Sequence, residues 1–125
     1  MAIARDTTAA NIKPLNGAII RRYTLGATTA AGEIVAMQSD GFVDPADTTS
    51  AAVACAGIAV QGGASGDRVD VVTFGPIVCG TGATIGAVIH ATDTAGEPGE
   101  SAGSNAGVLG WAESATTVFV NPSVA

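Results

Sequence analysis

The chain has 125 residues and a net charge of −6, and 47% of its residues are hydrophobic although only 4% are aromatic. This length suits one domain, and a core of Ala, Val and Ile is expected to be only modestly stable unless association buries more surface. Residues 1–22 carry a charge of +3 and residues 23–125 a charge of −9. The acidic body argues against nucleic-acid binding, which needs a basic footprint.

The first residues already contain Arg5 and Asp6, and no apolar segment of a signal peptide follows them. The longest apolar run, AAVACAGIAV at 51–60, is too short to cross a bilayer. We therefore expect no membrane contact and synthesis in a reducing cytoplasm. In that setting Cys55 and Cys79 are predicted to be buried free thiols, with a single disulfide between them as the alternative.

Residues 1–14 show no periodicity and are predicted to form a flexible, extended N-terminal arm. Residues 15–125 are predicted to form a single β domain, because glycine turns separate segments rich in Val, Ile and Thr. A short helix or 3₁₀ turn is expected around 45–53, and a long flexible loop at 93–105. The predicted strands are 17–25, 32–37, 42–43, 53–60, 68–78, 87–92, 106–112 and 116–121.

Two parts of the chain repeat one pattern. GEIVAMQSDGF at 32–42 is echoed by GAVIHATDTAG at 86–96. An Ala-Gly-apolar strand and a Val-rich strand follow each copy: AGIAV and RVDVVTF after the first, AGVLGW and TTVFV after the second. A degenerate duplication of this kind predicts two sheet-forming halves that close as a small β-barrel or sandwich. The alternative is that a glycine-rich all-β chain produces such echoes by chance.

No motif indicates catalysis. His90 is the only histidine, and Lys13 is the only lysine and lies outside any phosphate-binding loop. Three nearby aspartates, Asp40, Asp44 and Asp47, occupy turn positions and lack the bidentate acid that closes a calcium loop. We therefore expect no enzyme activity, no catalytic residue, no cofactor and no metal site.

Several segments together suggest a family: AGEIVAMQSDGFVDPA, AGIAV, DRVDVVTFGPIV, GAVIHATDTAGEPG and VLGWAESATTVFVNP. Over roughly residues 30–122, this order resembles the small capsid decoration, or cement, proteins of tailed bacteriophages. The resemblance implies a β-barrel-like or β-tulip-like domain that binds the outer surface of the expanded capsid in the virion. It also implies synthesis in the host cytoplasm, a trimer at three-fold positions, the major capsid protein as partner, and stabilisation against internal DNA pressure.

The residues expected to contact the capsid or a neighbouring subunit are mostly basic and lie near the N-terminus. Adjacent Arg21 and Arg22 should point to opposite faces of one strand. Trp111 and Phe119 are assigned to the core. One alternative is a tail, fibre or other virion-surface adhesion module, and another is a small enzyme that uses His90. The predicted contacts are Arg5, Ile12, Lys13, Leu15, Arg21, Arg22 and Arg68.

Overall fold

The computed structural model describes residues 3–122, and the chain in this range is almost entirely antiparallel β-structure, as predicted. The only helix in the range is a 3₁₀ turn at Ala9–Asn11. The strands are β1 (Ala4–Arg5), β2 (Lys13–Pro14), β3 (Ile19–Thr24), β4 (Ile34–Met37), β5 (Val43–Pro45), β6 (Cys55–Ala59), β7 (Arg68–Val78), β8 (Gly80–Thr81), β9 (Val88–Ala91), β10 (Pro98–Gly99), β11 (Val108–Ala112) and β12 (Thr117–Val120).

The main sheet runs in the order β10-β9-β11-β12-β7-β6-β4-β5 and curls into a half-barrel. The long strand β7 joins its two parts: Val71 and Val72 pair with β6, whereas residues 75–78 pair with β12. Gly75, the first residue of the stretch that pairs with β12, has a φ of +104°, a conformation that favours glycine. β2 and β3 also pair with β7, and β1 forms a separate ribbon with β8.

The two parts of the sheet have the same topology, which supports the predicted duplication. β5-β4-β6-β7 in the first part corresponds to β10-β9-β11-β12 in the second. The Gly32 N–H donates to the Ala59 carbonyl at 2.8 Å, and the Gly86 N–H donates to the Ala112 carbonyl at the same distance. These two glycines have φ values of +85° and +84°. The repeated pattern therefore encodes two equivalent β units.

The register of the duplication differs from the sequence alignment in one strand. Gly57 lies opposite Val35, and Gly110 lies opposite Ile89, with an irregularity in both ladders at this point. Gly57 is therefore equivalent to Gly110, not to Gly107, so the two aligned Ala-Gly pairs are offset by three residues. The bulge fixes this register, and a bulge cannot be located from apolar pattern alone.

Two apolar clusters fill the domain, one on each face of β7. Val72 belongs to the larger cluster, which also includes Ile34 of the first unit and Leu109 of the second. Val71 belongs to the smaller cluster, which the first unit encloses around Leu25. Successive side chains of a strand point to opposite faces, which places the neighbours Val71 and Val72 in different clusters.

The predicted flexible arm is not confirmed, because the described part of residues 1–14 packs on the domain. Ile3 and Ile12 are 6% and 5% exposed and belong to the larger cluster. Burying an isoleucine side chain contributes about 1.5–3 kcal/mol, which favours a docked segment. The Arg5 Nε also forms an ion pair with a Glu97 carboxylate oxygen at 2.6 Å.

The helix expected around 45–53 is wrong, because the main chain there bonds to the second unit. The Thr48 N–H donates to the Thr92 carbonyl at 3.0 Å, and the Val53 N–H donates to the Ala106 carbonyl at 2.9 Å. The Asp47 carboxylate accepts a hydrogen bond from the Thr49 N–H at 2.9 Å. This bond closes a local turn, which competes with helix formation.

The segment 93–105, expected to be a flexible loop, contains β10 and is held at both ends. The Asp93 carboxylate accepts hydrogen bonds from the Thr48 hydroxyl at 2.8 Å and from the Ser104 N–H at 2.9 Å, and it also accepts the Ser104 hydroxyl. The Asn105 side-chain amide donates to the Thr48 carbonyl at 2.8 Å. Asp93 therefore fastens this segment to the first unit.

The hydrogen bonds from Ser104 and Thr48 lower the pKa of Asp93 below its ordinary value of 3.8. A carboxylate with a lowered pKa stabilises the fold above 3.8 and loses that contribution as pH falls through the folded-state pKa. We expect hydrogen exchange at the Ser104 amide, measured relative to the intrinsic amide rate at each pH, to accelerate as pH falls from about 6 to about 2. Asp93→Asn should accelerate it at the higher pH, whereas Asp40→Asn, in a separate turn, should not. Unchanged exchange in Asp93→Asn would contradict this role.

Candidate functional site

The predicted contact residues divide into exposed and buried sets. Ile12 lies in the core, and the Arg5 side chain is only 15% exposed in its ion pair, so both are wrong as surface contacts of the folded domain. The reason is that the segment carrying them packs on the domain instead of extending from it. The exposed predicted contacts are Lys13, Leu15, Arg21, Arg22 and Arg68.

Trp111 was assigned to the core, but it lies on the surface and is 39% exposed. Its ring stacks on Phe119, with centroids 4.7 Å apart and planes inclined by 10°. Phe74, which is 42% exposed, meets the same Phe119 ring edge-on at 5.1 Å. Three of the five aromatic residues in the chain therefore form one surface cluster.

Two aliphatic residues extend this cluster across the sheet. Ile19 pairs with Phe74 and is 54% exposed, and Val88 pairs with Trp111 and is 47% exposed. Directly opposed residues of an antiparallel pair share a face, so the side chains form a continuous row. We call these five residues the aromatic stripe: Ile19, Phe74, Phe119, Trp111 and Val88. The stripe crosses β3, β7, β12, β11 and β9 and contains no charged residue.

The alternation of residues in β12 is a signal in the sequence for part of this stripe, and it disagrees with the assignment of Phe119 to the core. In β12, Val118 and Val120 are fully buried, so period-two alternation places Phe119 on the opposite face. In β11 the Gly110 bulge interrupts the simple alternation between Leu109 and Trp111. The strand predicted over 106–112 therefore gives no sign that the Trp111 ring lies on the surface.

The stripe ends at β3, which carries two of the five cations of the chain. Arg21 lies over the Tyr23 ring, with 5.4 Å from its guanidinium carbon to the ring centroid. Arg22 approaches the Asp70 carboxylate at 3.9 Å and donates to the Arg68 carbonyl at 3.1 Å. These contacts agree with the prediction that the two arginines point to opposite faces.

Cys55 and Cys79 are buried free thiols, as predicted, and burial raises their pKa values to about 11 and about 12. The buried Nδ1 atom of His90 has no hydrogen-bond partner among the described residues. Within residues 3–122, His, Cys, Asp and Glu side chains form no group of three or more that could hold a metal ion. In the same range, no helix is long and apolar enough to cross a membrane.

The aromatic stripe and the adjoining strand β3, with its two arginines, are therefore the candidate binding features on the surface of the domain. Exposed apolar patches of this kind favour contact with another macromolecule. Comparison with known proteins adds no assignment, since neither a family model nor a curated protein sequence matches the chain.

Proposed function

We propose that the protein is a capsid decoration, or cement, protein of a tailed bacteriophage. It binds the major capsid protein on the outer surface of the expanded capsid, as a trimer at three-fold positions, and stabilises the shell against internal DNA pressure. The resemblance of residues 30–122 to that family supports the proposal, and so does the all-β fold. The function is structural and requires no catalytic residue.

The observation that carries the proposal is the aromatic stripe. Trp and Phe side chains contribute strongly to the buried centres of protein interfaces, where a few such residues supply most of the binding free energy. On an isolated domain, Trp111 and Phe74 instead remain about two-fifths exposed, at 39% and 42%. Burial of these rings against a capsid subunit stabilises the complex by about 25 cal/mol for each Å² of apolar surface removed from water.

In this function the folded domain binds the capsid, and no free N-terminal arm is needed. Ile3 and Ile12 are committed to the core, so the segment that carries them helps to complete the fold. A trimer presents three copies of the stripe to the shell. After one copy binds, the others bind at a raised effective concentration, which gives retention that no single contact provides.

The position of the exposed rings favours decoration over the adhesion alternative. Phe74 and Trp111 lie within β7 and β11 on the face of the sheet, not at the tips of long loops. A row of rings on a sheet matches a broad, relatively flat partner surface. Decoration of a capsid requires a surface of that shape.

Sedimentation with capsid shells tests the proposal. Shells assembled from the major capsid protein of the same genome are prepared in unexpanded and expanded forms and mixed with the purified protein. We expect saturable co-sedimentation with expanded shells and little with unexpanded shells. Expanded shells of an unrelated phage serve as the control. Absence of binding to the cognate expanded shells, or equal binding to all shells, would contradict the proposal.

A further inference from the structure

We infer that the free edge of β3 binds an extended, acidic segment of another protein, which joins the sheet as an additional strand. In the described part of the chain, β3 pairs with β7 on one side and with no strand on the other; this free side ends at Thr24, because the next residue, Leu25, forms a parallel bridge with Val43 of β5. Four consecutive residues, Ile19 to Arg22, are exposed. The inference rests on this geometry and is independent of the capsid proposal.

The ladder shows which main-chain groups face outward. The Val60 N–H donates to the Asp70 carbonyl at 2.8 Å, so this carbonyl points toward β6 and away from β3. Residues of an antiparallel ladder alternate between bonding to one neighbour and facing the other. Ile20 and Arg22, which lie opposite Val72 and Asp70, therefore direct their N–H and carbonyl groups to the free side.

The ends of the main sheet are less suitable for strand addition. β5 ends at Pro45, and its Val43 carbonyl already accepts the Gly26 N–H at 2.9 Å. β10 has two residues and begins at Pro98. Proline lacks the N–H that a new strand needs, and short or proline-containing edges are a common protection against pairing. β3 is longer and contains no proline.

The positive charge of β3 favours an acidic strand as its partner. Arg21 and Arg22 are adjacent, and β3 contains no acidic residue. In an antiparallel pair of two β3 strands centred on these residues, arginine would lie opposite arginine, which destabilises the pair. A segment with acidic residues at those positions gains attraction instead. Two apolar residues beside the acid pair, opposite Ile19 and Ile20, would cover those side chains, which are 54% and 46% exposed.

A peptide titration followed by amide NMR tests this inference. The probes are peptides of about ten residues, the length of a typical strand or longer, in which pairs of valines alternate with pairs of glutamates or with pairs of lysines. We expect the glutamate peptide to bind at least about tenfold more tightly and to slow exchange of the Ile20 and Arg22 amides by about tenfold. Equal binding of both peptides, protection confined to other strands, or failure of the glutamate peptide to bind would overturn the inference.

Charge reversal provides the second test. R21E/R22E should invert the preference, so that the lysine peptide binds more tightly. K13E/R68E has the same change of net charge away from the free edge and should retain the original preference. If both double variants respond alike, net charge and not the β3 edge determines binding, which would overturn the inference. Sedimentation of the free protein supplies a further check. If the protein dimerises and dimerisation protects the Ile20 and Arg22 amides, the edge binds a second copy of the chain, which would overturn the inference.

Discussion

Alanine at Gly110 is expected to lower the free energy of unfolding by about 3 kcal/mol or more, because the new methyl group has no space. A Cβ at this position would lie 1.9 Å from the Phe119 carbonyl oxygen and 3.0 Å from the Asn121 nitrogen. Both contacts are main-chain atoms of the adjacent chain segment, so neither can move aside without disturbing the ladder. Urea unfolding of Gly110→Ala, followed by the fluorescence of Trp111, measures the effect.

Gly57→Ala is the matched experiment in the first unit. Its Cβ would lie 1.9 Å from the Val72 carbonyl oxygen, the same contact that Gly110 makes in the second unit. We therefore expect a similar loss of stability. Gly41→Ala is the control, because no described atom beyond its two chain neighbours would lie within 4 Å of the new Cβ, and only its φ of +86° opposes the substitution. That control should cost about 1 kcal/mol. A much smaller loss at Gly57 than at Gly110 would contradict the equivalence of the bulges, and an equally large loss at Gly41 would contradict the steric explanation.

The second large effect is expected on shell binding. The double variant F74S/W111S removes the two most exposed rings of the aromatic stripe and should weaken binding to expanded shells by at least about 100-fold. Loss of a central aromatic contact costs about 2 kcal/mol or more, and about 1.4 kcal/mol corresponds to tenfold in affinity. Sedimentation of the variant with expanded shells over a range of concentrations measures the change.

F42S is the control for this variant. Phe42 is 42% exposed, as exposed as Phe74, but it lies in the turn between β4 and β5 and outside the stripe. It should therefore retain binding. Circular dichroism and urea unfolding of all variants establish that each is folded. Full binding by folded F74S/W111S would remove the stripe from the docking surface.

The class of the fold and most strands could be predicted because local residue patterns determine them. β7 is the clearest example: its alternating residues bury Val71 and Val72 in different clusters. The duplication was also visible, since both units begin with glycines, Gly32 and Gly86, in the same left-handed conformation. Periodicity and turn residues carry this information without reference to the rest of the molecule.

The candidate site was harder to predict because it depends on contacts between distant strands. Trp111 becomes a surface residue only through the Gly110 bulge and its stacking on Phe119. The N-terminal segment has no periodicity, yet Ile3 and Ile12 fill the same cluster as residues of both units. A single apolar residue in an irregular segment gives no sign of its tertiary partner. Such contacts override local propensity.

Cryo-electron microscopy of cognate expanded shells mixed with the protein would show both where the protein binds and with what symmetry. We expect trimeric density at the three-fold positions of the outer surface, with Phe74 and Trp111 against the capsid protein. Shells without added density, or density in which those rings face solvent, would contradict the proposed function.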